Sequence, residues 1–307
     1  MKYGMIKVAS AAPEIRVADP KMNAGAVLET LTRCEEEGIR IAVFPELGLT
    51  SVSCGDLFFQ ETLLEAGLNA LRHVAAATQG RELIAVVGLP LRNGRALYNV
   101  AAVAADGKVI GFVPKAALET TNGKNEVRWF TAGDSVPETV DFFGKPVPFG
   151  RDLLFACAEM ANLRFRVEFS NDSRIPLPAY GSPADSDATL ILVLGAEAER
   201  IGAAAERRTL LKARSMAQTV GIVYASAGAG ESTTDAVYAG HGLILENGAV
   251  LAERKPFETG VALSEIDVDE LTFRRMKMNG GRGSIPSLFR EIPFSLSVRP
   301  KIGRAHV

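Results

Sequence analysis

Three polar side chains directly follow apolar, strand-like runs in the sequence. Glu46 follows the run 41–45 and Lys115 follows the run 111–114. Ser170 comes directly after the strand-like run 165–169. The carboxyl ends of strands in α/β sheets face the crevice in which ligands bind, so these side chains could converge on one site. That site would present a carboxylate, an ammonium group and a hydroxyl to a ligand. Each residue alone also has a structural explanation, as a helix-cap neighbour, a solvated strand end and a turn residue.

The sequence lacks the residue patterns that metal-based or histidine-based catalysis would need. The three histidines, His73, His241 and His306, have no metal-ligand spacing, so we expect no zinc site and no histidine-based triad. The run 228–233 faintly resembles a phosphate-binding loop, but no lysine follows its second glycine and a tight turn explains it as well. We therefore expect neither a metal nor a cofactor.

Composition narrows the class of protein. The 307 residues include 34 Lys and Arg against 36 Asp and Glu, a net charge of −2, which argues against binding to nucleic acid or to an anionic membrane. Three scattered cysteines make no disulfide framework. The apolar runs are too short to span a bilayer, and Lys7 interrupts the apolar stretch near the N-terminus. These features predict a soluble cytoplasmic protein.

The elements that must position the three side chains alternate between short β-rich runs and longer helical runs, which predicts an α/β fold. Turn signals at 106–107 and 247–248 predict hairpins, and 123–141 is expected to be a long loop or short-helix excursion. We interpret residues 1–295 as one domain and 296–307 as a tail, either a linker stub or a remnant of cloning. The predicted strands are 5–11, 39–44, 83–89, 97–104, 109–113, 153–157, 163–169, 189–194, 222–226, 243–246, 250–253 and 261–266, and the predicted helices are 21–37, 56–78, 203–219 and 267–278.

Blocks of sequence spread over the whole chain resemble the nitrilase, or carbon-nitrogen hydrolase, superfamily. The order and spacing of Glu46, Lys115 and Ser170 are similar to its Glu, Lys and Cys blocks. A narrower similarity is to the glutaminase domains of glutamine-dependent NAD synthetases. The segments that carry it are Pro45–Thr50, Cys54–Phe58, Arg128–Phe130, Ile175–Pro178, Gly230–Asp235 and Gly242–Gly248.

The resemblance implies a four-layer α-β-β-α sandwich that forms a homodimer or a higher homo-oligomer, and a small amide substrate. It also implies an NAD synthetase-type domain as partner, for which 307 residues leave no room. By position, Glu46 matches the general base, Lys115 the lysine that stabilises the oxyanion, and Glu126 a second glutamate that positions substrate and nucleophile.

The resemblance fails at the nucleophile, because Ser170 stands where the family has cysteine. A thiol of pKa about 8.5 can be ionised by a nearby lysine and carboxylate, whereas a hydroxyl needs a stronger base such as histidine. Cys157 lies inside a predicted strand and is interpreted as a small buried apolar residue, so it does not replace the missing nucleophile. Substrate-contacting positions of the family are matched by Val52, Asp172 and Glu197, and Val52 and Glu197 replace a tyrosine and part of a serine-rich segment.

Two hypotheses therefore remain open. The first is an amide hydrolase of the glutaminase type, impaired or altered by Ser170. The second is a catalytically silent homologue that keeps the fold and pocket for binding or assembly. Because Asn171 and 173–174 also depart from the family pattern, natural divergence explains the serine better than a single engineered substitution.

Overall fold

A computed structural model describes residues 4–121, 125–172, 187–279 and 289–296. Its strands are β1 Met5–Ala12, β2 Ile41–Val43, β3 Ile84–Asn93, β4 Ala96–Ala105, β5 Lys108–Pro114, β6 Thr139–Phe142, β7 Lys145–Pro148, β8 Leu153–Cys157, β9 Arg164–Phe169, β10 Leu190–Gly195, β11 Gly221–Ser226, β12 Gly242–Glu246, β13 Ala249–Arg254, β14 Gly260–Asp267 and β15 Arg290–Phe294. Its α-helices are α1 Pro20–Glu36, α2 Glu61–Ala77, α3 Ala203–Gln218 and α4 Val268–Asn279.

The strands form two large mixed sheets and one small hairpin. The first sheet has six strands in the order β14-β1-β2-β3-β4-β5, and the second has seven in the order β13-β12-β11-β10-β9-β8-β15. Strands β1, β2 and β3 run parallel, as do β9, β10 and β11, while the outer pairs of both sheets include antiparallel hairpins. The carboxyl ends of the parallel strands therefore lie along one edge of each sheet.

Apolar layers hold the two sheets and the helices together. Side chains from both sheets meet in one buried core, where Phe155 and Phe165 stack with ring centroids 4.9 Å apart. Helices α1 and α2 cover the outer face of the first sheet, and α3 covers the outer face of the second, with Leu31, Leu71 and Leu211 buried beneath them. The result is the four-layer α-β-β-α sandwich expected from the resemblance.

The main differences from the predicted elements have local causes. The single helix predicted over 56–78 is wrong, because Gln60 is extended (φ −87°, ψ 119°) and separates a 3-10 turn at Gly55–Phe59 from α2. The β6–β7 hairpin lies inside and beyond the predicted loop, since its turn is formed by Phe143 and Gly144 at φ 51° and 77° instead of an Asn-Gly or Asp-Gly pair. Leu296, the first residue of the predicted tail, is buried in the core between the sheets, and the boundary between domain and tail stays a prediction.

Some sequence predictions fall outside the described residues. They include the family-like segment 175–178, the neighbours of Ser170 at 173–174, His306, and all of the tail beyond 296. Cys157 is buried on β8, as its sequence context predicts. None of the helices in the described ranges is long and apolar enough to cross a membrane.

Candidate active site

Glu46 and Lys115 meet where strands of the first sheet end. Glu46 follows β2 and is 1% exposed, and Lys115 follows β5 and is fully buried. The Lys115 ammonium donates to Glu46 Oε1 at 2.6 Å and to Glu126 Oε1 at 2.8 Å. Two of the three strand-end side chains predicted to converge are therefore in direct contact, and the second glutamate joins them.

The two carboxylates determine the charge state of Lys115. Burial lowers the pKa of the Lys115 ammonium, but the adjacent charges and hydrogen bonds of Glu46 and Glu126 outweigh burial and place the pKa above its ordinary value. Lys115 is therefore a cation at neutral pH, held 5.9 Å from the centre of the Phe169 ring. A fixed ammonium of this kind can stabilise negative charge that develops on a bound carbonyl oxygen.

Backbone packing fixes the position of Glu46. Gly88 on β3 faces the 45–47 turn so closely that a Cβ atom at this position would lie 2.7 Å from the Pro45 carbonyl oxygen and 2.9 Å from the Glu46 carbonyl carbon. The Glu46 amide also donates to the Gly195 carbonyl at the end of β10, at 3.4 Å. The turn that carries the carboxylate is thus held by both sheets.

Glu126 reaches Lys115 from a short 3-10 turn, Glu126–Arg128, within the region expected to be a loop. Its Oε1 atom accepts from Lys115, and its Oε2 atom accepts from the Glu119 amide at 2.8 Å. The side chain is 5% exposed. Glu126 is therefore held through both carboxylate oxygens beside the same ammonium that contacts Glu46.

Ser170 ends β9 in the second sheet and is 3% exposed. Its amide donates to the Leu194 carbonyl at 2.9 Å. Among the described residues, its hydroxyl makes one hydrogen bond, a long one of 3.5 Å to Asn171 Oδ1. In this part of the chain no hydrogen bond joins the Ser170 hydroxyl to Glu46 or Lys115. The preceding residue, Phe169, has its ring centre 5.9 Å from the Lys115 ammonium nitrogen, so the end of β9 faces the pair while a contact of Ser170 itself with the pair stays a prediction.

Asp172 connects the end of β9 to the segment after Lys115. Its carboxylate accepts from the Ala117 amide at 2.6 Å and from the Ala116 amide at 3.3 Å. Burial raises the pKa of this carboxyl, opposed by Arg151 and by the two amides. These bonds hold the Ser170 and Lys115 segments together. The substrate binding predicted for Asp172 stays a prediction, and its observed contacts are to these two amides and, at 3.9 Å, to Arg151 Nη2.

A cleft of about 100 Å³ opens beside Glu126. Val52, predicted to contact substrate, lines it together with Leu47. Its remaining lining residues include Ser53, Gly55, Trp129, Phe130, Ser232, Asp235, Ala236 and Tyr238. Its lining combines apolar and aromatic side chains with about as many polar ones, so a small ligand with both apolar and polar groups would fit it.

Glu231 holds the segment that forms one wall of this cleft. Its half-buried side chain accepts, through the carboxylate, from the Ser51 and Ser53 hydroxyls and from the Val52 amide at 3.0 Å. Burial raises the pKa of the Glu231 carboxyl, opposed mainly by the two serine hydroxyls. The segment 228–233 is thus a turn, as one of the two sequence interpretations has it, and its acidic residue Glu231 holds the Val52 backbone in position.

Glu197 lies in a separate buried network. Its carboxylate accepts from the Tyr224 hydroxyl at 2.5 Å and is 8% exposed. Burial, followed by the charge of Glu197, raises the pKa of Tyr224 well above its ordinary value. Within the described residues Glu197 is absent from the cleft lining. Its predicted contact with substrate stays a prediction, and the structure places it on a neighbouring tyrosine.

Neither histidine of the described ranges serves Ser170. His73 is exposed on α2. His241 is buried, accepts from Arg207 Nε at 3.0 Å through Nδ1, and contacts Glu253 at 3.0 Å through Nε2. Burial lowers the pKa of His241, so the ring is neutral with its proton on Nε2. No cluster of potential metal ligands occurs in the described part of the chain.

Three residues of the site could not be identified from the sequence, namely Asn99 on β4, Glu231 as the acceptor that holds residues 51–53, and Tyr238. Asn99 donates to Glu46 Oε1 at 2.7 Å. The available signal was a lone amide in the otherwise apolar run ALYNVAAVAA. Burial, followed by the charges of Glu231 and Glu46, raises the pKa of the Tyr238 phenol. Tyr238 lines the same cleft as Glu126, a position that sequence spacing alone does not reveal.

Comparisons with known proteins find the same family over most of the chain. Residues 7–276 match the model of the carbon-nitrogen hydrolase family. The chain is 36% identical over 303 residues to a glutamine-dependent NAD(+) synthetase of Mycobacterium tuberculosis (strain ATCC 25618 / H37Rv), with 96% of this chain and 45% of that protein covered. It is 35% identical over 308 residues to the enzyme of the same name from Mycobacterium leprae, covering 98% and 45%. The chain thus spans about half the length of these curated relatives.

Solved structures show the same fold. A glutamine-dependent NAD(+) synthetase from Cytophaga hutchinsonii superposes with a TM-score of 0.75 at 25% identity, covering 85% of this chain and 42% of that one. An amidase from Nesterenkonia sp. superposes with a TM-score of 0.66 at 22% identity, covering 91% and 97%.

Proposed function

Because the chain belongs to the carbon-nitrogen hydrolase family, we propose that it is an amide hydrolase of the glutaminase type whose activity is reduced by Ser170. The observation that carries this proposal is the buried Glu46–Lys115–Glu126 cluster, whose ammonium lies 5.9 Å from the ring of Phe169 at the end of β9. A base, a fixed ammonium and a strand-end nucleophile are the parts that acyl transfer from an amide requires. The similarity to glutamine-dependent NAD(+) synthetases supports glutamine as the first substrate to test.

The proposed reaction has two steps. In the first, the Ser170 oxygen attacks the amide carbon, Glu46 takes the hydroxyl proton, and Lys115 stabilises the oxyanion. Glu46 returns the proton to the nitrogen, ammonia leaves, and an ester remains on Ser170. In the second, water attacks this ester, Glu46 takes a proton from the water and returns it to the Ser170 oxygen as the carboxylic acid leaves.

Serine makes the first step slow. The thiol that the family carries has a pKa of about 8.5, within reach of a carboxylate base and a nearby cation, while a hydroxyl is far less acidic. Histidine, the usual activator of serine, is not available from the described chain, because His241 is already engaged by Arg207 and Glu253. We therefore expect weak turnover from the unaltered protein.

The second candidate function is a binding or assembly module without turnover. The same Ser170 favours it, because a fold can keep its cleft after losing its nucleophile. In either case we propose a cytoplasmic homodimer or higher homo-oligomer, with an NAD synthetase-type domain as the consumer of any ammonia released. The relatives' additional length supports that partner, since this chain covers 45% of them.

Ammonia release tests the proposal. The unaltered protein, Ser170→Cys and Ser170→Ala are each given glutamine and a panel of small primary amides. We expect Ser170→Cys to exceed the unaltered protein by about 100-fold or more, and Ser170→Ala to release none, since general-base and nucleophile effects are of that order. No release from a folded Ser170→Cys variant with any amide would reject the hydrolase and leave the binding module.

A further inference from the structure

Asn99 is a polar side chain in a place where the fold does not need one. It lies in the middle of β4, whose sequence ALYNVAAVAA is otherwise nearly all apolar, and its exposure is 0%. An amide buried in an apolar strand is unfavourable unless its hydrogen bonds are made. A valine or leucine would satisfy the requirements of the strand alone, so the amide points to a role in the site.

Asn99 contacts both of the residues that meet at the strand ends. Its side-chain Nδ2 donates to Glu46 Oε1 at 2.7 Å, and its backbone carbonyl accepts from the Lys115 amide at 2.9 Å. The strand register makes this reach available, because Asn99 pairs with Pro90 on β3 and its neighbour Val100 pairs with Pro114 on β5. One residue of β4 therefore fixes the carboxylate on one side and the start of the lysine segment on the other.

The hydrogen bond defines which oxygen of Glu46 is occupied. Oε1 receives donors from both Lys115 and Asn99. A rotated Asn99 amide would place its carbonyl against the carboxylate, so the observed orientation is the stable one. With Oε1 held by two donors, proton transfer falls to Oε2. In the part of the chain that the structure describes, Asn99 Oδ1 is buried without a hydrogen-bond partner, as expected of a site that a bound amide or water completes.

We propose that Asn99 is a positioning residue that holds the Glu46 carboxylate, through Oε1, in its ionised form and in the orientation a general base requires. Three charged groups share this buried space, namely Glu46, Glu126 and Lys115. Two carboxylates beside one ammonium leave an excess negative charge, and the second donor from Asn99 offsets that charge at Glu46 Oε1. The proposal rests on the proposed function, in which Glu46 is the base.

The test measures the site without requiring amide turnover. The parent is Ser170→Cys, and the rate at which iodoacetamide alkylates it is measured from pH 5 to pH 9. The same measurement is made on the parent with Asn99→Leu, which removes the hydrogen-bond donor, and with Asn99→Asp, which keeps the size of the side chain but replaces the amide by a carboxyl group. Thr78→Val is the matched control, since Thr78 is another buried polar residue whose hydroxyl contacts the Gly107 amide at the far end of β4. Circular dichroism and urea unfolding confirm that each variant is folded. Where Ser170→Cys releases ammonia, kcat and KM are measured as well.

Both Asn99 variants should slow alkylation about 10-fold or more and move the acid limb of the profile to higher pH by about one unit, because a hydrogen bond to a charged group is worth a factor of that order. Thr78→Val should change neither. With turnover, kcat should fall while KM stays within about threefold. Folded Asn99 variants whose rates and acid limbs match the parent would overturn the proposal. If ammonia release fails but alkylation responds to Asn99, the hydrolase proposal fails and the positioning role stands.

Discussion

Replacing Lys115 by methionine should destabilise the protein severely, because it removes the cation that two buried carboxylates share. Lys115 is fully buried, with contacts of 2.6 Å to Glu46 and 2.8 Å to Glu126. Removing one member of a buried ion pair costs about 3–5 kcal/mol, since the remaining charge is left without compensation. Here two like charges are left facing each other. We expect Lys115→Met to lower the free energy of unfolding by about 4 kcal/mol, measured by urea denaturation at pH 7.5.

An exposed ion pair is the matched control for this measurement. Arg33 and Glu29 on α1 approach to the same 2.6 Å, but they are 64% and 70% exposed. Pairs of this kind contribute about 0.3–0.5 kcal/mol, so Arg33→Met should have roughly a tenth of the effect. The contrast separates burial from distance as the cause.

The pH dependence of the loss has a defined sign. The pKa of Lys115 is raised in the folded protein, so its stabilisation is complete below the unfolded value of about 10.4 and disappears above the folded pKa. The deficit of Lys115→Met should therefore be full at pH 7.5 and shrink as the pH rises above the unfolded value, where the native lysine loses its own contribution. Adding Glu46→Gln to Lys115→Met should recover about 1–2 kcal/mol by removing one charge. A folded Lys115→Met within about 1 kcal/mol of the parent, with no response to pH, would refute the reasoning.

Two further predictions test the elements around the site. Gly88→Ala should cost about 1–3 kcal/mol in urea unfolding because its Cβ meets the Pro45–Glu46 backbone, whereas Gly25→Ala, with open space around it on α1, should be neutral or stabilising; equal effects would contradict the close approach. Glu231→Gln should loosen the Val52 wall and, in a Ser170→Cys parent, raise KM more than it lowers kcat. The pKa of Glu231 is raised in the folded protein. The native residue should therefore lose stability relative to glutamine as the pH rises from about 4.3 through the folded pKa. The opposite trend in urea unfolding would contradict the assignment.

The sequence was informative where a signal is local. Glu46 and Lys115 were found because each follows an apolar strand, and a strand's carboxyl end is where an α/β sheet binds ligands. Asn99 is different, since it lies 53 positions from Glu46 along the chain and its role depends on how β3, β4 and β5 pair. Sequence periodicity predicts that β4 is a strand, but it does not predict which residue of β4 lies beside the turn after β2.

The same distinction holds for the cleft. Glu231 contacts Ser51 across 180 positions of sequence, so the sequence around either residue does not predict the contact. The resemblance supplied Val52 as a candidate, and the structure supplied the reason for its position. For Glu197 the family position predicts substrate contact, which stays a prediction; its contact with Tyr224 could not be predicted from the sequence, because it depends on the pairing of β10 with β11.

The most direct test of the account is to find which atom of the protein carries the acyl group. Ser170→Cys is mixed with a reactive amide, quenched in acid, digested and mapped by mass spectrometry, alongside Ser170→Cys with Glu46→Gln. The account predicts an acyl adduct at position 170 that is lost when Glu46 is replaced. An adduct on Cys34, Cys54 or Cys157, or an adduct at position 170 that forms equally well without Glu46, would contradict it.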